Sequence, residues 1–117
     1  GGEVSCRIPH RVKDGYGIRD YMVDEAKEDG IGLIITCDNG ISAVSAASRA
    51  KELGITYILT DHHEVPDNDG TEIIPDADAV VNPKQKACEY PYNMLCGAGV
   101  VYKLMSYIFE KKMISHI

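Results

Sequence analysis

Four polar residues in the middle of the chain are of the types that bind divalent metal ions. Asp38 follows one apolar run, and Asp61, His62 and His63 follow a second. Carboxylate oxygens together with neutral imidazole nitrogens suit Mn²⁺ or another hard-to-borderline divalent ion. Two such ions can stabilise both the attacking and the leaving oxygen of a phosphodiester. These residue types therefore indicate a hydrolytic metal centre.

The two polar clusters follow two predicted strands that a predicted helix connects. Residues 31–37 form a continuous apolar run, typical of a strand that is buried on both faces of a parallel sheet. Residues 41–53 carry apolar side chains at helical spacing, and residues 55–60 are the next strand. Strands connected in this way are usually parallel neighbours. Because ligands bind at the carboxyl ends of such strands, we expect Asp38 and His62 to converge there.

The rest of the chain continues the alternation of strands and helices. The further predicted elements are a short strand at 4–8, a helix at 20–29, a loop at 65–76, a strand at 79–81 and a helix at 100–112. This pattern predicts an α/β fold, a three-layer sandwich with a mainly parallel, Rossmann-like sheet.

Composition is compatible with one globular domain. The chain has 117 residues, and no apolar run reaches the roughly 20 residues that a membrane helix needs. We therefore expect no membrane association and a cytoplasmic setting. The four cysteines are widely spaced, which favours reduced thiols. The net charge of −6 argues against DNA binding unless bound metal ions or basic residues elsewhere offset it.

Four interpretations compete with a hydrolytic metal centre. Residues 38–40 also fit an ordinary Asx turn, and Asp61 fits a helix N-cap. A non-catalytic α/β module similar to a receiver domain would use Asp38 without the histidines. A structural zinc site would need Cys37, His62, Cys88 and Cys96, although their spacing matches no usual zinc motif.

Several segments, in order along the chain, resemble the DHH phosphoesterase family. Residues 34–43, 51–55 and 60–66 are similar to the second and third motifs of that family. The segments that resemble its RecJ branch are 8–17, 81–84, 88–91 and 95–100. The resemblance spans most of the chain and implies a metal-dependent exonuclease that degrades single-stranded DNA from a 5′ end.

This resemblance also implies roles for the polar residues. Asp38 matches the carboxylate that bridges two Mn²⁺ or Mg²⁺ ions, and His62 matches a metal ligand. His63 would contact the scissile phosphate, and Asp61 would orient the histidines. The first family motif is expected before residue 1 and the fourth after residue 117, so the chain is expected to be a partial DHH domain, nearly inactive by itself. The alternative substrates within the family are short oligonucleotides and cyclic dinucleotides.

Two segments are candidates for contacts with single-stranded DNA. Gly97 and Gly99 open the last predicted helix, where backbone amides could hold a phosphate, although a tight packing turn explains them equally well. Arg11 lies in a basic, glycine-containing loop suited to the DNA backbone, although an ordinary solvated surface loop is the alternative. Tyr16 in the same loop could stack on a base or simply pack. No feature of the sequence identifies a protein partner.

Overall fold

Three parallel strands form the sheet that carries the polar clusters. The computed structural model describes residues 2–10, 13 and 17–115, with side chains as far as residue 112. Its elements in chain order are α1 (Asp20–Glu28), β1 (Leu33–Cys37), α2 (Val44–Glu52), β2 (Thr56–Thr60), β3 (Asp67–Asn68), β4 (Thr71–Glu72), β5 (Ala79–Val81) and α3 (Gly97–Ser115). The sheet order is β1-β2-β5. The α/β class and the parallel sheet are confirmed.

The register of this sheet aligns the last residues of its three strands. Cys37 pairs with Thr60, and Thr60 pairs with Val81. Each strand therefore ends at the same edge, and the next residue of the chain after β1 and after β2 is an aspartate.

The main core lies between the sheet and the first two helices. Val23 of α1 and three alanines of α2 are buried against Tyr57 and Leu59 of β2. The small alanine side chains allow α2 to lie close to the sheet. The apolar area buried there stabilises the position of α2, which connects β1 to β2. The helix α3 contacts β1 and β2 separately and buries Val100. No helix in the described part of the chain is long and apolar enough to cross a membrane.

The predicted strand at 4–8 is wrong. These residues have no strand partner among the described residues, and Val4 and Ile8 are 91% and 84% exposed. A β-branched composition does not hold a strand in place without a neighbour to pair with and a face to bury.

The predicted loop at 65–76 contains a small hairpin that the prediction missed. Its strands β3 and β4 pair antiparallel around Asp69 and Gly70, whose φ angles are 52° and 90°. An Asp-Gly pair with positive φ at both residues is typical of the tightest hairpin turn. The ammonium group of Lys86 holds this turn by donating to Asp67 Oδ2 at 3.0 Å and to the Gly70 carbonyl at 2.7 Å.

Candidate metal centre

Asp38, Asp61, His62 and His63 converge at the carboxyl edge of the sheet. Each offers one ligand atom, and these four atoms lie within 4.8 Å of one another. The His62 Nε2 atom is 2.7 Å from Asp38 Oδ1. The predicted convergence is confirmed, and it follows from the aligned ends of β1 and β2.

Asp38 lies in a turn that is fixed to the neighbouring strand. Its φ angle of 61° is in the left-handed region, which Asp and Asn tolerate better than other residues with side chains. Beneath it, the buried Thr36 hydroxyl donates to the Asn39 carbonyl at 2.8 Å and accepts from the Thr60 amide at 3.2 Å. The turn presents an Asp38 side chain that is 61% exposed. This carboxylate is therefore accessible to an ion from solvent.

Asp61 is a buried acceptor that connects the two loops of the site. Its side chain is 1% exposed. Oδ2 accepts from the Ile41 amide at 3.0 Å, and Oδ1 accepts from the amides of His62 at 2.8 Å and His63 at 3.3 Å. Oδ1 also lies 2.5 Å from His63 Nδ1. The alternative of a helix cap is wrong, because no helix follows Asp61.

Asn82 is a residue of the site that sequence reasoning missed. It is 2% exposed, and its amide group donates to the His63 carbonyl at 3.0 Å. Its Oδ1 accepts from the Lys84 amide at 2.9 Å. Asn82 follows β5 as Asp38 follows β1, so its place after the third predicted strand was the signal that could have identified it. All three parallel strands therefore contribute a polar residue to this edge.

These donors fit a divalent cation. Both Asp61 oxygens accept N–H groups, an arrangement that suits a carboxylate that orients its neighbours. Asp38 and His62 are in contact and partly exposed, and together they offer the oxygen and nitrogen that Mn²⁺ or Mg²⁺ sites use. His63 is held at Nδ1, so its Nε2 is available for an ion or a substrate.

Comparison with known proteins identifies the family of this chain. The model of the DHH family, N-terminal domain, matches residues 1–117. The chain belongs to the DHH family.

Relatives within the DHH family include single-stranded-DNA-specific exonucleases named RecJ. The protein of Bacillus subtilis strain 168 is 49% identical over 102 residues, a match that covers 87% of this chain and 12% of that protein. The protein of Salmonella typhimurium strain LT2 is 45% identical over 102 residues, which cover 87% of this chain and 17% of that one. The chain thus spans less than a fifth of the length of these relatives.

A solved structure in this family is also similar. The crystal structure of exonuclease RecJ bound to manganese matches with a TM-score of 0.66 and 32% identity, covering 82% of this chain and 23% of that one. Manganese in that relative agrees with the cofactor expected from the DHH resemblance.

The remaining site predictions in this DHH chain have different outcomes. Arg11 and Tyr16 lie outside the described residues. Gly97 is the first residue of α3 and lies against Asp38, while Gly99 lies near Leu95. Contacts of Arg11, His63, Gly97 and Gly99 with a substrate remain predictions.

A zinc site built from cysteines is not supported. Cys37, Cys88 and Cys96 are exposed and form no disulfide among the described residues. The ligand group found among the described residues contains no cysteine. The histidine that the zinc alternative requires, His62, is instead in contact with Asp38.

Proposed function

We propose that this chain is part of a RecJ-type exonuclease that hydrolyses the phosphodiester bonds of single-stranded DNA from a 5′ end with two Mn²⁺ or Mg²⁺ ions. The observation that carries the proposal is the contact between Asp38 Oδ1 and His62 Nε2 at 2.7 Å, at the carboxyl edge of the sheet of a DHH-family chain. A receiver-like module would need no such histidine. Because the relatives are single-stranded-DNA-specific exonucleases, single-stranded DNA is favoured as the substrate over short oligonucleotides or cyclic dinucleotides.

Each residue of the site has a role in this proposal. Asp38 would bridge the two ions, and His62 would bind one of them. When bound, the ions would activate a water molecule and stabilise the charge that develops on the phosphate oxygens. Asp61 would orient the His63 ring through the contact of its Oδ1 with Nδ1 at 2.5 Å. His63 Nε2 would then face the scissile phosphate.

Contacts with the rest of the DNA would come from flanking segments. Gly97 and Gly99 lie in the first turn of α3, where Gly97 is against Asp38, and their amides are proposed to approach a phosphate. Arg11 is proposed to bind the DNA backbone. Because the proposed substrate is single-stranded DNA, we expect the longer enzyme to act in DNA repair and recombination, in the cytoplasm.

We also propose that the chain is a partial DHH domain, with the second and third motifs present. Its two proposed metal ligands, Asp38 and His62, are few for two ions. The paired aspartates of the first family motif and the aspartate of the fourth are proposed to complete the ligand set from outside residues 1–117.

The proposal is tested in the longer enzyme from which the chain would come. Asp38→Ala and His62→Ala should each lower the rate of digestion of 5′-phosphorylated single strands by about 100-fold or more, since even residues behind metal ligands cost about 10–100-fold when changed. Asp76→Ala is a matched control, because Asp76 is exposed and its ion pair among the described residues is with Lys51 on the surface. Digestion by Asp38→Ala at the normal rate with normal metal dependence would refute the mechanism.

A further inference from the structure

The first turn of α3 lies in unusually close contact with the Asp38 side chain. A Cβ atom added at Gly97 would lie 2.5 Å from Asp38 Cβ, 2.6 Å from Cγ and 2.7 Å from Oδ1. Non-bonded carbon atoms pack at roughly 3.5–4.0 Å, so any side chain at position 97 forces a displacement. The oxygen that would be displaced, Oδ1, is also the atom 2.7 Å from His62 Nε2.

We infer that Gly97 is a positioning residue for Asp38. Because it has no side chain, the start of α3 can pack against the Asp38 carboxylate and restrict its rotamers to those in contact with His62. The Asp38 side chain is 61% exposed, so without this contact its carboxylate would be free to turn toward solvent. The consequence for metal binding rests on the proposed function, whereas the contact between Gly97 and Asp38 does not.

This role differs from the phosphate-binding role predicted from the sequence. Replacing Gly97 with alanine keeps the backbone N–H. If the amides of the first turn only bind a phosphate, this substitution should not change the surroundings of His62 while no phosphate is bound. Positioning predicts such a change. The two roles are therefore separable by an observation on the free protein.

Gly99 provides a matched control in the same helical turn. A Cβ atom there would lie 3.2 Å from Leu95 Cδ2 and 3.8 Å from Cys96 Sγ, away from Asp38. Neither glycine has a positive φ angle, so alanine is compatible with the backbone at both positions. Both substitutions also increase helix propensity. Their main difference is the contact with Asp38.

The experiment records the imidazole NMR signals of His62 in the metal-free 117-residue chain. Gly97→Ala should shift these signals, because the 2.7 Å contact with Asp38 is lost, and Gly99→Ala should leave them unchanged. In a second step, Mn²⁺ is added and the paramagnetic broadening of the same signals is followed. Gly97→Ala should need about 10-fold more Mn²⁺ than the parent chain for equal broadening, the lower end of the effect of changing a residue that orients a metal ligand.

Each outcome decides one of the two proposals. Identical metal-free His62 signals in the parent, Gly97→Ala and Gly99→Ala chains overturn the positioning role. Absence of broadening in the parent chain counts against Mn²⁺ binding by Asp38 and His62 alone, and the metal-free spectra still decide the role of Gly97. If Gly97→Ala fails to fold, Asp38→Gly is added to it, which removes all three clashing atoms. Recovery of folding supports the contact, and continued failure to fold overturns it.

Discussion

Replacing Asp61 with asparagine tests whether this buried carboxylate holds the two loops of the site together. Oδ2 accepts from the Ile41 amide at 3.0 Å, and Oδ1 accepts from the amides of His62 and His63. Asparagine has the same shape, but one of its two polar groups is an NH₂ that cannot accept. Either the Ile41 amide or the two histidine amides must therefore lose their acceptor.

The expected loss of stability follows from these contacts. A hydrogen bond to a charged group contributes about 1.5–3 kcal/mol, and a buried donor left without an acceptor costs about 1–3 kcal/mol. These two effects describe overlapping losses, so we expect Asp61→Asn to lower the free energy of unfolding by about 2–4 kcal/mol. A domain of this size has a total of roughly 5–15 kcal/mol.

Urea denaturation followed by circular dichroism, with EDTA present to remove metal ions, measures this loss. The midpoint should fall while the slope stays the same. Hydrogen exchange of the Ile41 amide should accelerate, because Asp61 Oδ2 is its acceptor. Asp38→Asn is the control: Asp38 is 61% exposed, and its substitution should change stability by less than about 0.5 kcal/mol. An Asp61→Asn chain as stable as this control, with unchanged Ile41 exchange, would refute the reasoning.

Three further predictions concern the core, the hairpin and the whole chain. The buried Tyr57 hydroxyl has no hydrogen-bond partner among the described residues, and burial raises the pKa of Tyr57 to about 12. Because the unfolded chain ionises near pH 10 and the folded chain does not, the free energy of unfolding should fall by about 2–3 kcal/mol between pH 10 and 12, and Tyr57→Phe should abolish this part of the fall in urea titrations. The Lys86 hydrogen bond lowers the pKa of Asp67, so the hairpin gains stability above the ordinary carboxyl pKa and loses it as the pH falls through the lowered value. Lys86→Met should therefore accelerate amide exchange in the hairpin at pH 7, and unchanged exchange would contradict this. The isolated chain should bind Mn²⁺ weakly in calorimetry and barely digest 5′-phosphorylated single strands, whereas tight binding of two ions would contradict a partial domain.

Local patterns in the sequence were sufficient to predict the strands and the helix that carry the site. The apolar run before Asp38 and the helical spacing after it predicted β1, α2 and β2. The predicted burial of β1 on both faces is wrong: β1 is at the edge of the described sheet, and Leu33 and Ile35 are 47% and 52% exposed. The topology of a parallel crossover then placed Asp38 and His62 at one edge. Convergence was thus predictable without knowledge of any distance.

The rest of the site depends on contacts between residues far apart in the chain. Asp61 accepts a hydrogen bond from the amide of Ile41, which lies 20 residues earlier in the chain, and Gly97 packs against Asp38, which lies 59 residues earlier. No periodicity in the sequence encodes such pairs. The strand at 4–8 failed for the same reason, because pairing with a neighbour, rather than composition, decides whether an extended segment becomes a strand.

The left-handed backbone at Asp38 changes which substitution counts as conservative. Glutamate keeps the charge, but it lacks the short side chain that lets Asp and Asn adopt a φ angle of 61°. Glutamate would therefore disturb the turn as well as the carboxylate, and loss of activity in Asp38→Glu would have two causes. Asparagine preserves the turn and removes only the charge. For trapping an undigested DNA strand on the longer enzyme, Asp38→Asn is accordingly the better inactive variant.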